Sequence, residues 1–139
     1  MPSTAREIMS GSVDCIGEKE TVAEAARKMA QLGVGALPIC GEDDRLKGML
    51  TDRDVVVKVI AAGKDPNSCK AGELAEGKPV TIGADDSLEE LVRTMAQYEV
   101  KRLPVIDGHR LVGVVSESDV AAAAPPELVV KLVRGVYAD

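Results

Sequence analysis

The stretch Leu37-Pro38-Ile39-Cys40, an acidic turn, and then Arg45-Leu46-Lys47-Gly48-Met49-Leu50-Thr51-Asp52-Arg53-Asp54 is written a second time further along the chain. The second copy is Leu103-Pro104-Val105-Ile106, a shorter turn, and Arg110-Leu111-Val112-Gly113-Val114-Val115-Ser116-Glu117-Ser118-Asp119. Each copy reads as two short apolar strands joined by a hairpin and running into a helix that opens on a hydroxyl residue, with Asp three positions on. Asp107-Gly108 is a tight hairpin signal, and Gly41 to Asp44 a looser one. Pro38 and Pro104 lack the N–H that a sheet ladder needs, so each is expected at a strand start or on a sheet edge.

Outward from this pair, an offset of about 66 residues superimposes nearly the whole chain on itself. Ala5 and Glu7 match Ala71 and Glu73, Ile16-Gly17 matches Ile82-Gly83, Glu24 and Arg27 match Glu90 and Arg93, and Met29-Ala30-Gln31 recurs as Met95-Ala96-Gln97. Each copy begins with a short helical turn (5–9, 71–75) and a brief extended piece (13–16, 80–82). Thr21 with Glu24, and Ser87 with Glu90, then have capping-box spacing, so helices begin there. Val22, Ala25, Ala26, Met29 and Leu32 form one apolar stripe that stops near Gly33; Leu88, Leu91, Val92 and Met95 form the other. The last helix of the first copy is expected from about Asp52 to Ala62, closed by Gly63, and its counterpart from Glu117 to Ala124, ended by Pro125-Pro126. A terminal amphipathic helix runs from Glu127 to about Arg134. The organisation is thus repeat 1 at 4–63, a short polar linker at 64–70, repeat 2 at 71–124, and a helical tail at 125–139.

Composition narrows the function. Of 139 residues 45% are hydrophobic, yet there are two Tyr and no Phe or Trp, so the core is aliphatic and base stacking on aromatics is disfavoured. A formal net charge of −6 argues against broad phosphate-backbone binding, hence against a nucleic-acid partner. No apolar run approaches the ~18 residues of a membrane span, and the N-terminus lacks a secretory pattern, so the expected location is the cytoplasm. Three Cys without CxxC give neither a disulfide framework nor a zinc knuckle. Neither a dehydrogenase nor a P-loop glycine pattern occurs, nor a nucleophile with a base, so no catalytic residue is assigned and an enzyme is disfavoured.

Leu-Pro-(Ile/Val) in the second strand and Gly-x-x-(Thr/Ser)-x-x-Asp at the last strand-to-helix junction, each found twice in register, resemble a tandem pair of CBS domains. The likeness is greatest to the small standalone hypoxic-response type of bacteria, through Thr4-Ala5-Arg6-Glu7-Ile8-Met9, Leu50-Thr51-Asp52-Arg53-Asp54 and His109-Arg110-Leu111-Val112-Gly113. The resemblance implies an α/β (α+β) fold of two β-α-β-β-α repeats packed around a pseudo-two-fold axis, often assembled into a flat dimer. It also implies clefts that hold adenosine compounds such as AMP, ATP or S-adenosylmethionine, with no cofactor required.

A carboxylate can accept hydrogen bonds from both hydroxyls of a ribose, and a phosphate favours a helix start with a hydroxyl beside it. Thr51 with Asp54, and Ser116 with Asp119, supply these parts; in the family the matching Asp holds the ribose and the hydroxyl lies near the phosphate. The plainer alternative is that both pairs are helix caps, although Asp is shorter than the usual Glu and less suited to reaching back. Arg53 favours an anion at the first junction, whereas Glu117 and Ser118 occupy the equivalent place at the second, with Lys101 and Arg102 nearby. The family's base contacts come largely from backbone, so Val13, Cys15, Pro38, Ile39, Val80, Pro104 and Val105 are expected to shape the pocket.

Cys15 and Cys40 fall on strands this fold brings close, so a disulfide or redox switch stands beside two buried thiols as the alternative. Cys69, in the linker, is expected to be exposed, and His109 to be a solvated hairpin residue rather than part of a metal site. The function expected is a non-catalytic sensor that binds an adenosine nucleotide and signals to an effector protein, in a stress or hypoxic response. The alternative is a ligand-free dimer acting through contact alone, and a redox-responsive protein is a third reading.

Overall fold

The computed structural model describes residues 2–11, 13–75 and 77–137. In chain order the elements are α1 (Ala5–Ile8), β1 (Ile16–Gly17), α2 (Val22–Leu32), β2 (Ala36–Cys40), β3 (Leu46–Thr51) and α3, which is α-helical over Asp52–Asp54 and π-helical over Val55–Ile60. A 3-10 turn (Ala71–Leu74) opens the second copy, followed by β4 (Ile82–Gly83), α4 (Leu88–Tyr98), β5 (Arg102–Asp107), β6 (Arg110–Ser116), α5 (Glu117–Ala123) and α6 (Pro126–Val136). The strands form two three-stranded sheets, β1-β2-β3 and β4-β5-β6, each with a parallel and an antiparallel pair.

The chain divides into two compact units: residues 14–79, and residues 1–13 together with 80–139. These units are not the sequence repeats, because the repeats exchange their leading segments. In the unit built on the first repeat, Ala71 N–H donates to Glu20 O (2.8 Å) and Gly72 N–H to Glu18 O (2.9 Å). In the unit built on the second, the equivalent donors are Ala5 to Asp86 O (3.0 Å) and Arg6 to Ala84 O (2.8 Å). Ala5 and Ala71 are both fully buried in the cores they join. The glycine of each third strand admits the visiting segment: a Cβ at Gly113 would meet Ser10 O at 2.7 Å, and one at Gly48 would meet the Ala75 Cβ at 3.2 Å.

The aliphatic cores follow the two stripes. Val22, Ala25 and Met29 of α2 join Leu37, Ile39 and Leu50; Leu88, Leu91, Val92 and Met95 of α4 join Leu103, Val105 and Val115. The Thr21–Glu24 capping box is complete, but at α4 only Ser87 caps, because the Glu90 carboxylate turns to Arg93 at 2.7 Å. Gly33 closes α2 at φ 66° in the left-handed region, where Glu99 stands in the other copy at φ 52°.

Several expectations need correction. Pro38 and Pro104 lie within central strands rather than at a start or an edge. They are tolerated because pairing to β1 and β4 begins one residue later, at Ile39 and Val105, so no partner on that side requires their N–H. Cys69 is buried, not exposed: the linker folds back, with Cys69 O and Pro66 O accepting the free N–H groups of Val22 and Ala23 at 2.8 and 2.9 Å. The third helix is π-helical over most of its length, and the terminal helix is longer than expected, Pro126–Val136.

Candidate functional site

Each third strand ends on a residue that is both last in the sheet and N-cap of the next helix. At the first junction, Thr51 Oγ1 accepts the Asp54 N–H (3.1 Å) while Asp54 Oδ2 accepts the Thr51 N–H (3.0 Å). At the second, Ser116 Oγ accepts the Asp119 N–H (3.2 Å) and Asp119 Oδ2 accepts the Ser116 N–H (2.9 Å). Both Asp residues therefore do reach back, contrary to the expectation drawn from their length, because an extended N-cap backbone (ψ 160° and 165°) turns its N–H toward the carboxylate.

The surroundings differ. At the first junction, Lys58 lies 3.3 Å from Asp54 Oδ1, one helical turn away. Arg53 is exposed and makes no ion pair among the described residues. Asp52 N–H is held by Gly35 O at 2.9 Å. At the second junction Ser116 Oγ also donates to Asp119 Oδ2 (3.0 Å), so Ser118 is the donor in its 2.8 Å bond to Ser116 Oγ. Glu117 N–H is held by Lys101 O at 2.8 Å, and the Glu117 carboxylate accepts the Tyr137 hydroxyl at 2.9 Å. The Lys101 ammonium lies 4.6 Å from the centre of the Tyr137 ring. Tyr137 was invisible to sequence reasoning as a neighbour of this junction.

The remaining candidates divide by depth. Ile39 and Val105 are fully buried core residues and Pro38 and Pro104 are buried as well, so none of these four presents a side chain at the surface. Val13, Cys15 and Val80 are half-buried. Cys15 and Cys40 are brought together with Cα atoms 5.9 Å apart, a separation that a disulfide spans without backbone movement. Lys28 Nζ donates to Cys15 O at 2.8 Å. His109 is exposed in the β5–β6 turn. Among the described residues no group of three or more His, Cys, Asp or Glu side chains is placed to hold a metal ion, and no helix is long and apolar enough to cross a membrane.

Two sheet-and-helix repeats, each ending in the same hydroxyl–Asp junction, define a class of protein, and comparison with known families agrees. The CBS-domain family model matches residues 5–61 and 71–125, and the chain belongs to that family. It is 49% identical over 134 residues to Hypoxic response protein 1 of Mycobacterium tuberculosis, covering 96% of this chain and 94% of the relative. Among solved structures it resembles Hypoxic Response Protein I with two coordinated zinc ions (TM-score 0.81, 52% identity, 88% of this chain and 99% of that one). It also resembles a hexameric CBS-CP12 protein from bloom-forming cyanobacteria (TM-score 0.80, 31% identity, 89% of this chain and 73% of that one).

Proposed function

We propose that this chain is a non-catalytic regulatory CBS-pair protein of the cytoplasm that binds an adenosine nucleotide of AMP or ATP type and passes that signal to an effector protein in a stress or hypoxic response. The observation that carries the reading is the first junction, where two cations border the hydroxyl–Asp pair. Thr51 and Asp54 offer a hydroxyl and a carboxylate, Lys58 and Arg53 flank them, and Arg53 has no ion pair among the described residues to surrender. The Asp54–Lys58 pair is partly exposed and worth at most about 1 kcal/mol, so a ribose can compete for that carboxylate. Backbone near Cys15, Pro38 and Ile39 would shape the base pocket, as would that near Pro104 and Val105 at the second junction.

Titration calorimetry with AMP and ATP tests this. Arg53→Ala removes an exposed side chain without touching the cap and should weaken binding roughly tenfold, the loss of one charge-assisted hydrogen bond. Asp54→Asn keeps an oxygen for the Thr51 N–H but loses the charge, and should weaken it further. No heat at millimolar nucleotide, or affinity unmoved by both variants, rejects the reading.

A second reading is favoured by the 5.9 Å separation of Cys15 and Cys40: a ligand-free interaction protein carrying a disulfide or redox switch. The mass of the unreduced protein decides, since the bond removes about two hydrogens and three free thiols would reject it. Under either reading we propose self-association as a homodimer. Val56, Val57 and Ile60 expose apolar side chains on one helix, and a related CBS protein is hexameric. Sedimentation of the wild type against Val56→Lys with Ile60→Lys should show the dimer lost.

A further inference from the structure

The second junction carries a fixture that the first lacks, delivered by the C-terminal helix. α6 lies against α4 with Leu132 and Val136 buried. Gly135 permits that approach, since a Cβ there would meet the Ala96 Cα at 3.1 Å and the Ala96 Cβ closer still. The helix is thereby fixed up to its last residue, and the next one, Tyr137, reaches the start of α5. Its hydroxyl donates to Glu117 at 2.9 Å and its ring lies under the Lys101 ammonium at 4.6 Å. One side chain thus engages both charged groups bordering the Ser116–Ser118 hydroxyl pair. In the other unit the equivalent positions are Gly35, which has no side chain, and Asp52, whose carboxylate accepts its neighbour Arg53's N–H at 2.9 Å.

We propose that the end of α6 is a strap that holds the second junction closed to phosphate-bearing ligands. Tyr137 occupies Lys101, the cation an anion there needs, and pins the repelling Glu117 beside the two serines. A ligand phosphate and the tyrosine ring compete for one ammonium group. Each therefore weakens the other, and ligand binding frees Tyr137, the residue that follows α6, as the output. Asp119 has a carboxylate oxygen, Oδ1, that takes no hydrogen bond or ion pair from a described residue, so a ribose still has an acceptor there. The inference rests on the nucleotide reading above.

The test is AMP calorimetry on the full chain carrying Asp54→Asn, which weakens the first junction, with and without Tyr137→Phe or Tyr137→Ala. Tyr137→Ala should tighten binding at the second junction about tenfold, and Tyr137→Phe, which keeps the ring over Lys101, by less. Adding Asp119→Asn should remove the gain. The chain has no Trp and only one other tyrosine, so Tyr98→Phe leaves Tyr137 as the sole fluorophore. Pyrophosphate, which does not absorb, should shift its emission, and Lys101→Ala should prevent the shift. Equal AMP affinity with and without Tyr137, or emission unmoved by pyrophosphate, overturns the strap. If AMP binds the wild type and Arg53→Ala weakens it while the Tyr137 variants change nothing, the strap falls and the nucleotide reading stands. No AMP heat in any variant overturns both.

Discussion

At Thr51–Asp54 and at Ser116–Asp119 the backbone is nearly superimposable in its hydrogen bonding, with the same N-cap, the same reciprocal carboxylate and a main-chain carbonyl holding the next N–H. Around that shared frame the first junction sets two cations, Arg53 and Lys58, among its carboxylates, whereas the second has Glu117 in place of Asp52 and is covered by Tyr137. The difference teaches what the repeated Asp means. Each Asp is already employed in closing a helix start, a task worth about 1 kcal/mol, so its presence in both copies is explained without any ligand. Evidence for ligand chemistry lies in the exposed neighbours, which the fold leaves free to differ.

The comparison between the two units can be broken most severely at the exchanged segments. Removing residues 1–11 deletes buried Ala5, the pair of bonds to Asp86 and Ala84, and the Ser10–Val114 bridge, all within the second-repeat unit. That unit should lose more than about 3 kcal/mol, as for truncating a large core side chain. Native-state hydrogen exchange should show α4 and β5 unprotected while α2 and β2 stay protected; equal loss in both would reject the exchange. A smaller break separates the two long helices. Ala96→Leu crowds Gly135 of α6 and should cost about 1–3 kcal/mol in urea unfolding, whereas Ala30→Leu, at the matching but exposed position of α2, should be nearly neutral. A still smaller asymmetry sits at the helix ends. Glu99→Gly should stabilise by about 0.5–1 kcal/mol by relieving a left-handed residue, and Gly33→Ala should destabilise by about 1 kcal/mol. Thermal melts showing the same sign for both would contradict the αL assignment.

Much of this was legible from the residues because it is local. The apolar stripes, the Thr21–Glu24 box, the Gly33 stop and both hairpins depend on neighbours within one turn or one strand pair. What escaped is decided over long separations. The exchange of leading segments pairs residue 5 with 86 and 71 with 20, and nothing in either segment says which copy it will join. Pro38 reads as an edge residue until β1 proves only two residues long. Cys69 reads as linker until its carbonyl is needed at the start of α2, by the Val22 N–H. At the candidate site the hydroxyl–Asp spacing was plain, but Tyr137 meets Glu117 from 20 residues away. Its only mark in the sequence is that aromatic residues are scarce.

The least expected effect concerns acid, and it sharpens the contrast between a complete cap and a partial one. The Glu24 carboxylate is held below the usual glutamate range, first by the Thr21 hydroxyl at 3.1 Å and then by the Thr21 backbone N–H. A carboxylate that binds its proton less readily folded than unfolded contributes stability above its unfolded pKa, and that contribution is lost as pH falls through the lower folded value. The first-repeat unit should therefore weaken slightly on acidification below the ordinary glutamate range, and Glu24→Gln should lack that part of the decline. At α4 the Ser87 hydroxyl caps the Glu90 N–H with no returning carboxylate, so that cap has no titrating partner to lose. An NMR titration of the Thr21 amide reads the effect directly: a midpoint below that of free glutamate is expected, and a midpoint in the ordinary range would show that the Thr21–Glu24 box does not hold in solution.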